Sequence, residues 1–191
     1  MYVSGLAKVF WGLLLVFFDI KIQGFDILLD PLGFLIVIVG LAQLAPRNQR
    51  FSRASTAAVV LLVLSILEAL FLSESLVQYV LGNYIGGFFI FVISTSANLL
   101  FLYYLCRGIE ELSQEKGLYE LAKKTRKRWS IYLWTSVALF LASLILRFLP
   151  MGLVALLGSI MLVIWFVVYL YILLLIREAD KSLLVSVAEQ E

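Results

Sequence analysis

Residues 152–176 read GLVALLGSIMLVIWFVVYLYILLLI, an apolar run without a single charged side chain. A helix needs about 20 mostly apolar residues to cross a hydrocarbon core about 30 Å thick, and this run exceeds that length. The core of a bilayer offers the backbone no hydrogen-bond partners. A helix pairs the backbone N–H and C=O groups of such a run with one another, so a helix is the expected conformation. The run therefore predicts a transmembrane helix.

Five further apolar segments precede this run along the chain. They are 6–22, 25–45, 54–72, 84–106 and 130–149. These segments are too long and too uniformly apolar for the alternating pattern of a membrane β-barrel strand. The sequence therefore predicts an all-α, polytopic helical bundle with about six transmembrane helices, organised as one domain over residues 1–191.

The composition of the 191 residues agrees with this class. Hydrophobic residues make up 63% of the chain and charged residues 15%, against roughly 45–50% and about 25% in soluble domains. A soluble fold of this size cannot hide so much apolar surface from water, so the excess has to face lipid. The net charge of +2 is too small for a nucleic-acid-binding protein, and we expect no nucleic-acid partner.

The chain also lacks the side chains that commonly carry enzyme chemistry. It has no histidine and one cysteine, Cys106. Histidine-based catalysis, histidine-ligated metal sites and cysteine-type zinc sites are therefore excluded. We expect the protein not to be an enzyme and to hold no cofactor.

The basic residues are divided unevenly between alternate connectors. One face of the membrane carries 13 of them and the other face only Lys21 and Arg147. Lysine and arginine are retained on the cytoplasmic side, so this division predicts that both termini are cytoplasmic. The 13 residues are Lys8, Arg47, Arg50, Arg53, Arg107, Lys116, Lys123, Lys124, Arg126, Lys127, Arg128, Arg177 and Lys181.

The longest connector on the cytoplasmic face is predicted to form a helical hairpin over about 107–129, with its turn at Gly117. A cluster of basic residues, followed by a tryptophan, lies at the C-terminal end of this hairpin. Such a cluster predicts contact with anionic lipid headgroups of the inner leaflet. The alternative is that these basic residues only orient the chain and anchor it in the membrane. The residues are Lys123, Lys124, Arg126, Lys127, Arg128 and Trp129.

Residues 18–34, FDIKIQGFDILLDPLGF, place Asp19, Asp26 and Asp30 in the corner between the first two segments. Hard cations favour clusters of oxygen ligands, so one interpretation is an outward-facing site for a cation or a basic solute. In the alternative, Asp30 caps a helix that starts at Pro31 and the other two carboxylates face water or a neighbouring lysine. The pattern leaves open whether a metal binds.

Two residues inside the apolar segments are further candidates for a ligand site. Glu68 lies about one turn inside the outer end of the third segment, where a charge marks a pathway or a paired partner such as Arg147. Asn98 follows Ser94 and Thr95 near the middle of the fourth segment. A buried asparagine needs a partner, so it either lines a solute path or forms a hydrogen bond between helices.

The stretch from Phe10 to Leu44 resembles small multi-pass membrane proteins of low-GC Gram-positive bacteria. Those proteins share the pattern F-D-I-x-x-D-x-x-G, followed by an apolar run and G-L. The matching residues here are Phe25, Asp26, Ile27, Asp30, Gly33, Gly40 and Leu41. The resemblance covers about a fifth of the chain and implies a bacterial plasma membrane, without implying an activity.

Three functions remain open on this evidence, and an enzyme that uses two carboxylates ranks last, because nothing pairs Asp26 or Asp30 with a nucleophile or a second motif. The first is binding or transport of a small solute or cation at the acidic, outward-facing corner. The second is a non-catalytic scaffold, immunity or regulatory protein that acts through a protein partner. Six short helices form a thin wall for a pathway, so a homodimer or a membrane-protein partner is compatible with either function.

Overall fold

The computed structural model describes residues 3–17, 29–71, 84–146 and 150–188. The described residues form six α-helices and no strand, one helix for each predicted segment, so the predicted all-α bundle is confirmed. The helices are α1 (Val3–Phe17), α2 (Leu29–Leu44), α3 (Gln49–Phe71), α4 (Tyr84–Glu115), α5 (Tyr119–Leu146) and α6 (Met151–Ala188).

Four of the helices contain stretches that are long and apolar enough to cross a membrane. These stretches are Gln49–Leu67, Val92–Glu115, Tyr119–Leu146 and Gly152–Leu183, whereas α1 and α2 are shorter apolar helices. Large apolar side chains, such as Leu162 at 65% exposure, cover the outside of the bundle. The chain is therefore a membrane protein whose helices contact lipid.

The six helices form a closed ring in which each helix packs against its neighbours in the sequence. α1 packs against α2, this order continues to α6, and α6 packs against α1. Neighbouring helices are antiparallel; Phe10 of α1 lies beside Arg177 of α6, and Leu13 lies beside Tyr169. The turns at 45–48 and 116–118 both lie at one end of the ring, which we call the basic end.

Glycines bring the backbones of α1 and α2 into direct contact. A Cβ atom added to Gly12 would lie 2.6 Å from the carbonyl oxygen of Gly33, and one added to Gly40 would lie 2.6 Å from that of Gly5. Real Cβ atoms do not approach so closely, so only glycine fits. Gly33 and Gly40 belong to the pattern of the resemblance, but a pattern within one segment does not show which helix the glycines face.

Apolar side chains fill the half of the ring next to the basic end. Sixteen apolar side chains of the described residues are at most 1% exposed, contributed by all the helices except α5, and most of them lie in this half. The cavity described below lies in the other half of the ring. The residues are Leu6, Val9, Val37, Leu41, Leu44, Phe51, Ala54, Ala58, Phe101, Leu102, Leu105, Ile109, Ile172, Leu175, Ile176 and Ala179.

The start of α2 and the turn between α4 and α5 can be compared with the predictions for Asp30 and Gly117. α2 begins at Leu29, one residue before Asp30, so Asp30 lies in the first turn of the helix. Pro31 is accommodated there because the first backbone N–H groups of a helix have no partner within it. α4 ends at Glu115 and α5 begins at Tyr119, with Gly117 between them at a φ of +74°.

Candidate ligand-binding cavity

A cavity of about 530 Å³ lies inside the ring, in the half away from the basic end. All six helices contribute side chains to its wall, including Phe17 at the end of α1 and Asp30 at the start of α2. Sites for small molecules typically enclose about 300–1,000 Å³. The ring therefore holds a space of the size that a small solute requires.

Nine polar side chains line this cavity, and most of the remaining wall is apolar or aromatic. Two predicted site residues, Asp30 and Asn98, are among the nine, so the fold brings them to one cavity although they are far apart in the sequence. Asp30 is the only charged residue among the described residues of the lining. The nine are Asp30, Ser65, Ser94, Thr95, Asn98, Tyr132, Ser136, Ser143 and Tyr169.

Asn98 forms the floor of the cavity together with Tyr132. Its side-chain Nδ2 donates a hydrogen bond to the Tyr132 hydroxyl at 3.3 Å, which joins α4 to α5. Tyr132 is 3% exposed, and Phe101, one turn beyond Asn98, is fully buried. Asn98 therefore links two helices, and it also lines the cavity.

An aromatic cluster forms the wall between α1 and α6. The rings of Phe17 and Tyr169 are stacked with centroids 4.9 Å apart, and those of Trp165 and Tyr169 are stacked at 5.3 Å. The Tyr169 hydroxyl donates a hydrogen bond to the backbone carbonyl of Leu13 at 3.4 Å, which holds the ring in place. This cluster lines the same cavity as Asp30.

The other predicted ligand residues lie outside the described part of the chain, either entirely or in their side chains. Asp19 and Asp26 lie outside the described residues, as do Lys21 and Arg147. Glu68 is part of α3, but its side chain is outside the description. Within the described ranges no group of three or more acidic, cysteine or histidine residues is placed to hold a metal ion.

A polar network stabilises the basic end between α3 and α4. Glu111 accepts hydrogen bonds from Asn48 Nδ2 at 2.8 Å and from Arg50 Nε at 3.0 Å. Asn48 also accepts a bond from the backbone N–H of Arg50 at 2.8 Å, so it caps the N-terminus of α3. One carboxylate therefore ties α4 to the start of α3.

The structure separates the predicted headgroup residues into two sets. Lys124 and Arg128 both bind Glu178 of α6, at 2.7 and 2.9 Å, and the Arg128 guanidinium lies 4.6 Å from the centre of the Tyr171 ring. Trp129 packs against Tyr103 and Tyr132. The second set, Lys123, Arg126 and Lys127, is exposed, lies on another face of α5 and takes part in none of the ion pairs found among the described residues.

Sequence reasoning missed most of the cavity. Tyr132, Trp165 and Tyr169 lie within apolar segments, where an aromatic residue is most often part of the core or of the lipid-facing surface. The available signal was the spacing of Tyr132 and Ser136, which places two hydroxyls on one face of α5. That signal does not show that the face is turned toward Asp30.

No protein-family model matches the chain, and the comparisons with curated proteins and with solved structures also find no match. The cavity and its lining are therefore the features that indicate a function. The resemblance carried by residues 10–44 stays a prediction.

Proposed function

We propose that the protein binds a small organic cation in the cavity of the ring, with the Asp30 carboxylate as its counter-charge. The observation that carries the proposal is that Asp30, Asn98 and the aromatic cluster line one space of about 530 Å³. A binding site in a membrane-embedded ring suits uptake, sensing or transport of the solute. The proposal involves no chemical step.

The charge of the solute is inferred from the lining. Asp30 is the one charged residue among the described residues of the lining, and a carboxylate attracts a positively charged solute. The attraction between two charges is stronger in such a low-dielectric surrounding than in water. Hydroxyl and amide groups at Asn98, Ser94 and Ser136 supply hydrogen-bond partners for polar parts of the solute.

The organic nature of the ligand is inferred from the aromatic cluster. Ammonium groups are attracted to the faces of tryptophan, tyrosine and phenylalanine rings, and Phe17, Trp165 and Tyr169 border the cavity. A divalent metal ion instead requires about six to eight oxygen ligands, usually with several carboxylates. An amine with an apolar or aromatic body fits the wall better than a bare metal ion does.

Because one half of the ring is packed, a solute would enter the cavity from the end opposite the basic end. Phe101 and Leu105 of α4 are fully buried below the Asn98–Tyr132 pair, so the cavity ends at this level. Transport would require a second conformation that opens the packed half toward the basic end. The proposed binding step is therefore separate from any transport step and can be tested alone.

Thermal unfolding of the purified protein in lipid nanodiscs tests the proposal. The panel contains primary and quaternary amines, their neutral isosteres, and sodium, potassium, magnesium and calcium ions. A ligand at 100 times its dissociation constant stabilises the folded state by about 2.7 kcal/mol. We expect an amine to raise the melting temperature of the native protein and its neutral isostere to raise it much less.

Two variants assign the effect to the cavity. Asp30→Asn should abolish the stabilisation by the amine, and Trp165→Leu should weaken it. Glu120→Gln removes an exposed carboxylate from the first turn of α5, remote from the cavity, and should leave it unchanged. If no member of the panel stabilises the native protein, solute binding is wrong and the alternative, a scaffold or regulatory protein that acts through a protein partner, is favoured.

A further inference from the structure

A groove of about 630 Å³ runs along the outer surface of α5, apart from the cavity. It follows one helix face, because its residues recur at intervals of three and four. The face is basic over its first turns and becomes apolar and aromatic beyond Ser130. Its residues include Lys123, Arg126, Lys127, Ser130, Ile131 and Trp134, and we call this feature the α5 groove.

The basic residues of the α5 groove differ from their neighbours on the same helix. Glu178 binds both Lys124 and Arg128, so the protein itself neutralises one of these two positive charges. The ion pairs found among the described residues do not include Lys123, Arg126 or Lys127. Three like charges within two helical turns repel one another, and a bound anion relieves that repulsion.

We propose that the α5 groove binds an anionic phospholipid. Its phosphate lies against Lys123, Arg126 and Lys127, and the upper part of its acyl chains lies along Ile131 and Trp134. The charge of the groove is complementary to the phosphate, and its apolar continuation suits a lipid tail and not a soluble anion. Trp134 is 70% exposed and lies about one turn beyond Ser130, and tryptophan is enriched near membrane–water boundaries.

Lipid titration followed by native mass spectrometry tests this site on the full chain. Phosphatidylglycerol and phosphatidylcholine are added separately to the detergent-purified protein, and the dissociation constant of each is measured. The combined substitution Lys123→Gln, Arg126→Gln and Lys127→Gln should weaken phosphatidylglycerol binding at least tenfold, since each basic residue near an anionic headgroup contributes about fivefold. Binding of phosphatidylcholine should change little.

A matched control removes three positive charges elsewhere at the basic end, by Lys8→Gln, Arg53→Gln and Lys181→Gln. We expect this variant to keep most of the affinity for phosphatidylglycerol. An equal loss in the control would show that net charge, and not the α5 groove, attracts the lipid, and the proposal would be wrong. Unchanged binding by the groove variant would also overturn it.

Glycerol phosphate distinguishes a lipid from a soluble anion, because it carries the phosphate without acyl chains. It should compete with phosphatidylglycerol only at concentrations at least a hundredfold higher. Competition at similar concentrations would assign the α5 groove to a soluble phosphate instead. The substituted side chains are exposed, so the groove variant should keep the melting temperature of the native protein in neutral detergent.

Discussion

Gly12 and Gly33 face each other across α1 and α2 so closely that a Cβ atom on Gly33 would lie 2.7 Å from the carbonyl oxygen of Gly12. The obstructing atom belongs to the backbone, so no side-chain rotation can relieve the clash. This contact sets the distance between α1 and α2, and it lies next to the cavity, because Leu13 and Phe34 are part of the lining.

We predict that Gly12→Ala destabilises the protein by about 3 kcal/mol, at the upper end of the usual cost of overpacking, because the two helices must move apart. Thermal unfolding in nanodiscs measures the change. Gly158→Ala is the matched control, since a Cβ at Gly158 meets nothing within 4 Å. Alanine should be neutral there or stabilise α6 by up to about 1 kcal/mol. Equal melting temperatures for the two variants would contradict the close approach of α1 and α2.

The hydrogen bond between Asn98 and Tyr132 should contribute a measurable coupling energy. Hydrogen bonds between helices in membranes average about 0.6 kcal/mol in double-mutant cycles. We therefore expect Asn98→Ala and Tyr132→Phe to be less destabilising together than the sum of the single substitutions, by about this amount. Tyr119→Phe alters a 71% exposed tyrosine and should show no coupling to Asn98. Additive effects of Asn98→Ala and Tyr132→Phe would mean that the bond does not form.

Asn48 should contribute to stability in two separable ways, as the cap of α3 and as a partner of Glu111. Asn48→Ala removes both interactions and should destabilise the protein by about 1–2 kcal/mol. Asn48→Ser keeps a capping oxygen but cannot reach Glu111 as the longer amide does, so its effect should be about half as large. Chemical unfolding of the three proteins checks this order. Equal losses for serine and alanine would show that capping contributes little.

The turn at Gly117 should tolerate asparagine better than alanine. Its φ of +74° lies in the left-handed region, where other residues pay about 1–2 kcal/mol, and asparagine is among the exceptions. A Cβ at this position meets nothing within 4 Å, so the penalty comes from backbone conformation alone. Gly117→Ala should therefore lower the unfolding free energy by about 1 kcal/mol and Gly117→Asn by less. The opposite order would argue against the left-handed turn.

The positions of the helices could be predicted because hydropathy and backbone hydrogen bonding act locally. Each of the six apolar segments corresponds to a helix, and Gly117 lies in the turn between α4 and α5. α2 already includes Asp30, so the Asp30–Pro31 pattern, which is compatible with both a capping position and the first helical turn, did not mark the first residue of the helix. The number of membrane crossings and the side of the termini stay predictions.

Local sequence determined that this protein is a membrane-embedded bundle of helices, because apolar length alone decides which segments leave water. The tertiary structure decided that Asp30 and Asn98 share one cavity, and that Lys124 and Arg128 bind Glu178 while the ion pairs of the described residues leave out Lys123, Arg126 and Lys127. These outcomes depend on which faces of distant helices meet. Rotation of a helix about its axis is fixed by packing with its neighbours, and no single stretch of sequence contains that information.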